Sequence, residues 1–458
     1  DDRGSNEIDY ADSQGNIVTT TIGYGEGQVD PKLAEARLGA DTSTVGSVEN
    51  GRIVTDTRGE QKFVSGAFTP KEIEQGYTEY GEPLANVNGK TMTKGQMYST
   101  GIIAKDPETG EKLKTDDIFR IASMTKAITS LGIIMLWEKA MIYSLDDPID
   151  LYIPEFRTLK VLDNFNKKDS TYTSKPTNKK ITIRNLLTHT SGMGYDEIGS
   201  SEIRAIIFKE KQKFMRNSVI AFSDEDVTIG EIVRRLAKLP LEFEPGVKWN
   251  YSNSIDVLGY LIEIVSGKTL DEFFKDEIFT PLGMDDTYFY LPEGKNSRLV
   301  KVQTKKEEKW VTFRHDRYNV NYPIEGAKKF YSGGAGLSST AEDYFKFLSV
   351  FLNDGKYNDT QIIGKMTNKL LQLDQIAMIT SDKHKGSHGL ISTVVREEDL
   401  NKGNIGSAGT LHGGGYFNTK YFADPNEKVI GILLKQTRSI SEHTSNKFNR
   451  LVFSSITQ

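Results

Sequence analysis

The stretch Ile118-Phe119-Arg120-Ile121-Ala122-Ser123-Met124-Thr125-Lys126-Ala127 decides how the chain is read. Ser123 and Lys126 stand three residues apart, so on a helix both side chains lie on one face. The run that follows, Ala127 to Ala140, is mostly apolar and helix-compatible, which predicts a buried helix with Ser123 near its N-terminus. Unpaired N–H groups and the helix dipole favour developing negative charge there. A serine hydroxyl becomes an effective nucleophile when a neighbouring base takes its proton. A lysine serves as that base where desolvation or a nearby cation keeps it neutral. No second Ser-x-x-Lys occurs in the chain. On spacing alone the competing reading, a capped helix with a surface lysine, stays open.

At 458 residues and 37% hydrophobic side chains, the chain has room for two or three domains with sizeable cores. Its 58 basic and 63 acidic side chains leave a net charge of −5 without a long run of either sign. That balance argues against a nucleic-acid groove or a polybasic membrane patch. With no cysteine, disulfides, thiolate zinc sites, iron–sulfur clusters and a cysteine nucleophile are excluded. No basic-then-apolar leader follows Asp1, and the compartment stays open, a periplasmic or secreted setting being favoured. The longest apolar stretch, Ile128 to Trp137, falls far short of the ~20 residues of a membrane span and reads as a core helix.

Residues 1–70 are rich in Gly, Asp, Thr and Ser and read as an irregular N-terminal extension. A strand candidate, Tyr98 to Ala104, leads through Asp106-Pro107-Glu108-Thr109-Gly110 to the Ser123 helix. A mainly helical middle follows, with helices predicted over Thr228 to Leu239 and over Asn253 to Val265, the second stopped by Gly267. Ser339-Thr340-Ala341-Glu342 reads as a cap for a helix carrying Tyr344, Phe347, Leu348 and Phe351. Past residue 386, Gly389 to Arg396, Gly415 to Ala423 and Lys428 to Gln436 read as strands, and Ser441 to Ser454 as a returning helix. The expected architecture is α/β: an antiparallel sheet built from N- and C-terminal strands (residues 71–140 and 331–458) flanked by helices, beside a mainly helical domain (141–330). The cleft between them is the expected site.

Two further stretches carry chemistry. Tyr251-Ser252-Asn253 follows a Pro245-Gly246 loop immediately before a helix, where a phenol could reach across a cleft to Ser123; alternatively Asn253 only caps the helix and Tyr251 packs beneath it. Leu411-His412-Gly413-Gly414-Gly415 opens a strand candidate, and glycines there let backbone approach a substrate and offer an N–H to an oxyanion. The plainer readings are a glycine-rich turn and a structural His412. There is no Gly-x-Ser-x-Gly elbow and no His-Glu-x-x-His, and the six histidines are scattered. Gly267-Lys268-Thr269 lacks the first glycine of a phosphate loop, since Ile262 stands there. No metal and no organic cofactor is expected.

Read together, Ser123-Met124-Thr125-Lys126, Tyr251-Ser252-Asn253 and His412-Gly413-Gly414 closely resemble the penicillin-recognising serine hydrolases. The resemblance is to the class C β-lactamase-like branch, with its family VIII carboxylesterases and D,D-peptidases. Leu186 to Met193, Pro281-Leu282-Gly283-Met284, Gly333 to Thr340 and Ala423-Asp424-Pro425 extend it over roughly residues 95–440. It implies that Ser123 is acylated, with Lys126 as its hydrogen-bonded partner. Tyr251 would act as base toward Ser123 and acid toward the leaving group, while Asn253 orients substrate or Lys126. The N–H groups of Ser123 and Gly415 would form the oxyanion hole beside Gly413 and Gly414, and His189 would hold a loop together.

His412 stands where class C β-lactamases carry the lysine of Lys-Thr-Gly and many family esterases a tryptophan. The missing lysine removes a cation for a β-lactam or peptide carboxylate, unless His412 is protonated or donates a hydrogen bond. The resemblance therefore implies a carboxylesterase acting on small-molecule esters or amides. A β-lactamase or D,D-peptidase is the alternative, and a non-catalytic binding protein on the same fold the more distant one. A cleft-facing His412 would couple activity to pH near 6.5. Acyl preference and oligomeric state are not legible.

Overall fold

The structure is a computed structural model that describes residues 104–195, 199–211, 226–307, 309–314, 319, 321–379, 386–400, 406–438 and 443–454. It also describes the strand segments 7–11, 17–21, 51–55, 61–65, 83–87 and 90–93. The chain divides into two compact units, Asp1–Tyr98 with Ser454–Gln458, and Ser99–Phe453. The first contains three antiparallel hairpins: Glu7–Ala11 with Ile17–Thr21, Gly51–Thr55 with Gln61–Ser65, and Pro83–Val87 with Lys90–Thr93. Two of these fall in the stretch expected to be irregular. Short β-branched runs such as Ile17-Val18-Thr19-Thr20-Thr21 and Ile53-Val54 suit a locally paired strand even in a Gly- and Asp-rich background.

In the second unit the Ser123 segment leads into α1, Thr125–Glu138, buried continuously from Thr125 to Leu136. Such a helix is apolar all round because protein surrounds it. Next come α2 (Ile183–Leu187), α3 (Ile229–Leu236) and α4 (Ser254–Ser266), which packs against α1. Thr228 caps α3: its hydroxyl accepts from Glu231 N–H at 3.3 Å, and the Glu231 carboxylate accepts from Thr228 N–H at 2.8 Å. Gly267 ends α4 at φ +71°, a left-handed position that glycine occupies without strain. The middle also holds a hairpin, Lys160–Phe165 with Tyr172–Pro176. Helix α5, Ala341–Leu352, is capped by Thr340, one residue after the expected Ser339; its hydroxyl accepts from Asp343 N–H at 3.2 Å.

Strands β1 (Thr393–Val394), β2 (Leu411–Gly415), β3 (Thr419–Asp424) and β4 (Val429–Leu433) form an antiparallel sheet in that order. The single strand expected over Gly415 to Ala423 is instead a hairpin. Asn418, at φ +63°, donates its N–H to Gly415 O and turns the chain, since Asn tolerates the left-handed region. The last helix, α6 (His443–Ser454), packs Phe448 and Phe453 on Phe422 of β3.

The sheet expected from both chain ends is, among the described residues, a four-stranded sheet of C-terminal strands alone. Of the strand candidate Tyr98 to Ala104, residues 98–103 lie outside the described residues, and Ala104–Asp106 pairs with Glu111–Lys112. The N-terminal part joins the C-terminal one through Gln303. Its Nε2 donates to Ala104 O and its N–H to Gln436 O, each at 2.8 Å. Just before the Ser123 turn, Phe119–Arg120 pairs with Ser338–Ser339. The buried Arg120 guanidinium donates to Tyr322 O at 2.7 Å and Val300 O at 2.8 Å. The Gln436 side-chain amide meets both backbone groups of Arg120, at 3.2 and 2.9 Å.

Candidate active site

Ser123 sits on a 3₁₀ turn, Ala122–Met124, that runs directly into α1. The preceding Ala122 is fully buried and holds φ at +46°, an uncommon value for a residue with a Cβ, of the kind that clusters at functional sites. Ile121 N–H donates to Leu337 O at 3.0 Å, and Leu337 N–H donates to the Thr125 hydroxyl at 3.1 Å, fixing the turn from both sides. Lys126, only 6% exposed, donates from Nζ to Ser123 Oγ at 3.3 Å and to Gly334 O at 2.6 Å. The surface-lysine reading therefore fails.

The same Nζ lies 4.7 Å from the Tyr251 ring centroid and 5.6 Å from that of Tyr195, so two electron-rich faces flank the amine. Tyr251 is held by the loop that follows α2. His189 Nδ1 accepts from Ser252 N–H at 3.3 Å, and His189 O accepts from Asn250 N–H at 2.9 Å. This is the loop-holding contact expected of His189. Its imidazole packs 4.7 Å from the Tyr251 ring, with His388 edge-on at 5.4 Å. Burial, reinforced by His388 and Lys126, drives the His189 pKa well below the ordinary histidine value. A neutral ring is also what an Nδ1 accepting a backbone N–H requires.

Asn253 occupies the position before α4, but its side chain makes no capping bond. It is fully buried, its Nδ2 facing Asp256 Oδ2 at 3.4 Å and its Oδ1 lacking a hydrogen-bond partner. The capping alternative for Asn253 is thus replaced by a side chain turned inward.

β2 brings Gly415 against the turn that carries Ser123: a Cβ there would collide with the Ile121 carbonyl and Thr419 Oγ1. Gly413 and Gly414 precede it, half-buried and in register with Tyr421 and Lys420. His412, three residues before Gly415, pairs with Thr393 on one side and Phe422 on the other. Burial and the nearby Lys420 ammonium push its pKa down to about 4, against the pull of Asp399. The expectation that His412 titrates near 6.5 is therefore corrected. Strand pairing desolvates the imidazole, which stays neutral through the physiological range and supplies no cation.

Sequence reading missed the groups behind Lys126. Asp256, fully buried in the first turn of α4, accepts at Oδ1 from Ser332 Oγ at 2.6 Å and from Gly334 N–H at 3.0 Å. The one signal was a lone acidic residue in the apolar run Ile255 to Ile262. His388, Trp249 and Tyr195 complete the aromatic wall around Tyr251. Among the described residues no group of three or more His, Asp or Glu is arranged to hold a metal ion. A hydroxyl hydrogen-bonded to a buried amine, with backbone against its turn, has the parts of a nucleophilic acyl-transfer site.

Comparison with known proteins bears on the family and the fold. The family model described as Beta-lactamase matches residues 48–452. Esterase EstB of Burkholderia gladioli is 30% identical over 355 residues, covering 72% of this chain and 80% of that protein. Lovastatin esterase of Penicillium rubens is 31% identical over 321 residues, covering 69% and 68%. Among solved structures, EstCE1, a hydrolase with promiscuous acyltransferase activity, superposes with a TM-score of 0.64 at 21% identity, covering 82% and 92%. Simvastatin synthase (LovD) of Aspergillus terreus gives 0.65 at 21%, covering 83% and 93%. The structural matches show the fold alone.

Proposed function

The chain belongs to the beta-lactamase family of serine hydrolases, and on that premise we propose that it cleaves carboxylic esters through an acyl-enzyme on Ser123. The observation that carries the reading is the Lys126 Nζ contact to Ser123 Oγ, in a chain about 30% identical to two proteins named as esterases. The Ser123 hydroxyl oxygen attacks the ester carbonyl while its proton passes to the adjoining Lys126–Tyr251 pair. The negative charge that develops on the carbonyl oxygen is held by the N–H groups of Ser123 and Gly415. Collapse expels the alcohol, which takes up the proton from the same pair. Water then attacks the acyl-Ser123 ester, releasing the carboxylic acid and restoring the serine. A small-molecule ester is the substrate, and the step calls on no metal or organic cofactor.

The β-lactam alternative needs a cation to hold the substrate carboxylate, and a His412 pKa near 4 leaves that position neutral at pH 7. A chromogenic panel of short-chain esters, run beside a cephalosporin reporter with wild type and Ser123→Ala, tests the proposal. Ester cleavage that disappears in Ser123→Ala is the expected result. Rapid cephalosporin turnover without ester cleavage would reverse the order of the two substrates. No labelling of wild type by an active-site serine probe would favour a non-catalytic binding protein.

A further inference from the structure

We propose that Asp256 is a positioning residue for Lys126, acting through a directed hydrogen-bond chain across Ser332 and the Gly334–Ala335 peptide. The inference rests on the reading of Ser123 and Lys126 given above. Lys126 Nζ donates to Gly334 O at 2.6 Å. At the other end of that peptide unit, Ala335 N–H donates to Ser332 Oγ at 3.1 Å. The Ser332 hydroxyl donates onward to Asp256 Oδ1 at 2.6 Å. Every bond points the same way, from the amine to the carboxylate, so each polarises the next. A negative charge two hydrogen bonds behind the peptide enriches Gly334 O as an acceptor and fixes where Nζ sits relative to Ser123 Oγ.

The carboxylate is itself held without freedom. Gly334 N–H donates to Oδ1 at 3.0 Å, Asn253 Nδ2 faces Oδ2 at 3.4 Å, and Asp256 is fully buried. A Cβ at Gly334 would press on this carboxylate, which accounts for glycine at a residue gripped by side chains on both its N–H and its carbonyl. A buried carboxylate is costly unless its charge is matched by donors, and an apolar residue of similar size would satisfy packing alone. The neighbouring peptide supplies an internal control. Thr129 Oγ1 donates to Gly333 O at 2.7 Å, tying the same loop to α1; the N–H of that peptide meets Asp256 Oδ1 directly, so this bond bypasses Ser332 and the Gly334–Ala335 peptide that Lys126 contacts.

Asp256→Asn, Ser332→Ala and Thr129→Val, each in the full chain, test the proposal. The readouts are kcat and KM on the preferred p-nitrophenyl ester, Tm, and the rate at which a fluorophosphonate probe labels Ser123. Asp256→Asn and Ser332→Ala should lower kcat about 10- to 100-fold, the range for losing one hydrogen bond to a charged group, with KM within about threefold. Thr129→Val should lower Tm while keeping kcat within about threefold of wild type. Should Asp256→Asn not fold, Ser332→Ala decides. Wild-type kcat in Ser332→Ala, or an equal kcat loss in Thr129→Val, overturns the inference. If wild type is labelled by the probe but cleaves no ester, the ester reading alone falls and the labelling rates decide the role of Asp256. If wild type is not labelled, both fall.

Discussion

The turn that carries Ser123 and the strand that ends at Gly415 meet at Ile121, and they are built on opposite plans. The turn is held by what side chains do. Arg120, Thr125, Lys126 and Gln436 each make buried hydrogen bonds to residues far away in the chain, and the Tyr344 hydroxyl donates to Met124 O at 3.0 Å. The strand is shaped by what side chains do not do: with no Cβ, Gly415 lies against the Ile121 carbonyl of the turn, and Gly413 and Gly414 leave room for Tyr421 and Lys420 of β3. The first plan fixes reacting atoms to a fraction of an ångström and tolerates no change of donor. The second depends on the absence of side chains, and an added Cβ meets Tyr421, Lys420 or Thr419 of β3 or the Ile121 carbonyl.

The sharpest way to break this contrast is Lys126→Arg. A guanidinium stays protonated, and its planar fork does not reproduce a single Nζ that contacts both Ser123 Oγ and Gly334 O. Acylation measured by stopped flow should fall by ~10² or more, the scale of losing a general base. Near wild-type turnover would make Lys126 a structural residue. Next comes Gly415→Ala, whose methyl group must push β2 away from the Ile121 carbonyl. kcat should drop by about 10², the effect of losing one oxyanion donor, while labelling of Ser123 by a small probe falls less. Equal loss in both assays would mean that the turn itself has been displaced.

The smallest effects belong to His412. With its pKa near 4, it should add no inflection to the pH profile of kcat/KM between pH 5.5 and 8, and His412→Gln should give a profile of the same shape. Stability tells the opposite story. Below its ordinary value of 6.5 the unfolded imidazole takes up a proton that the folded one refuses until about pH 4. Wild type should therefore lose up to about 3 kcal/mol more than His412→Gln between pH 7 and pH 4, measured by denaturant melts. An inflection near pH 6.5 that disappears in His412→Gln would mean that the folded imidazole takes up its proton near the ordinary value and that its charge bears on catalysis.

What was legible in the sequence follows from distance along the chain. Ser123 and Lys126 are three residues apart, and Thr228, Glu231 and Gly267 mark helix ends through local geometry, so a pattern of a few residues suffices to find them. Lys126 and Gly334 are 208 residues apart, and Ser332 and Asp256 are 76 apart. Nothing local announces that those pairs touch. His412 was legible as a residue type at the start of a glycine run, but its charge state was not, because strand pairing and Lys420 set it. The positive φ of Ala122 left no mark either, since alanine carries a Cβ and gives no sign of a left-handed turn as Gly or Asn would. The hairpins of the first unit were hidden by composition: few bulky residues surround their short β-branched runs.

The Gln436 side chain closes on Arg120 across 316 residues. A ribosome making this chain releases Ser123 well before β2 and the strands that follow it, and domains of this size assemble as the chain emerges. The serine is thus synthesised long before the backbone that lies against its turn. A stalled or shortened product that ends before β2 carries Ser123 without the backbone that lies against its turn. On the proposed role of Ser123, ester cleavage requires that β2 has been made and has docked, so activity that appears during synthesis would mark that docking.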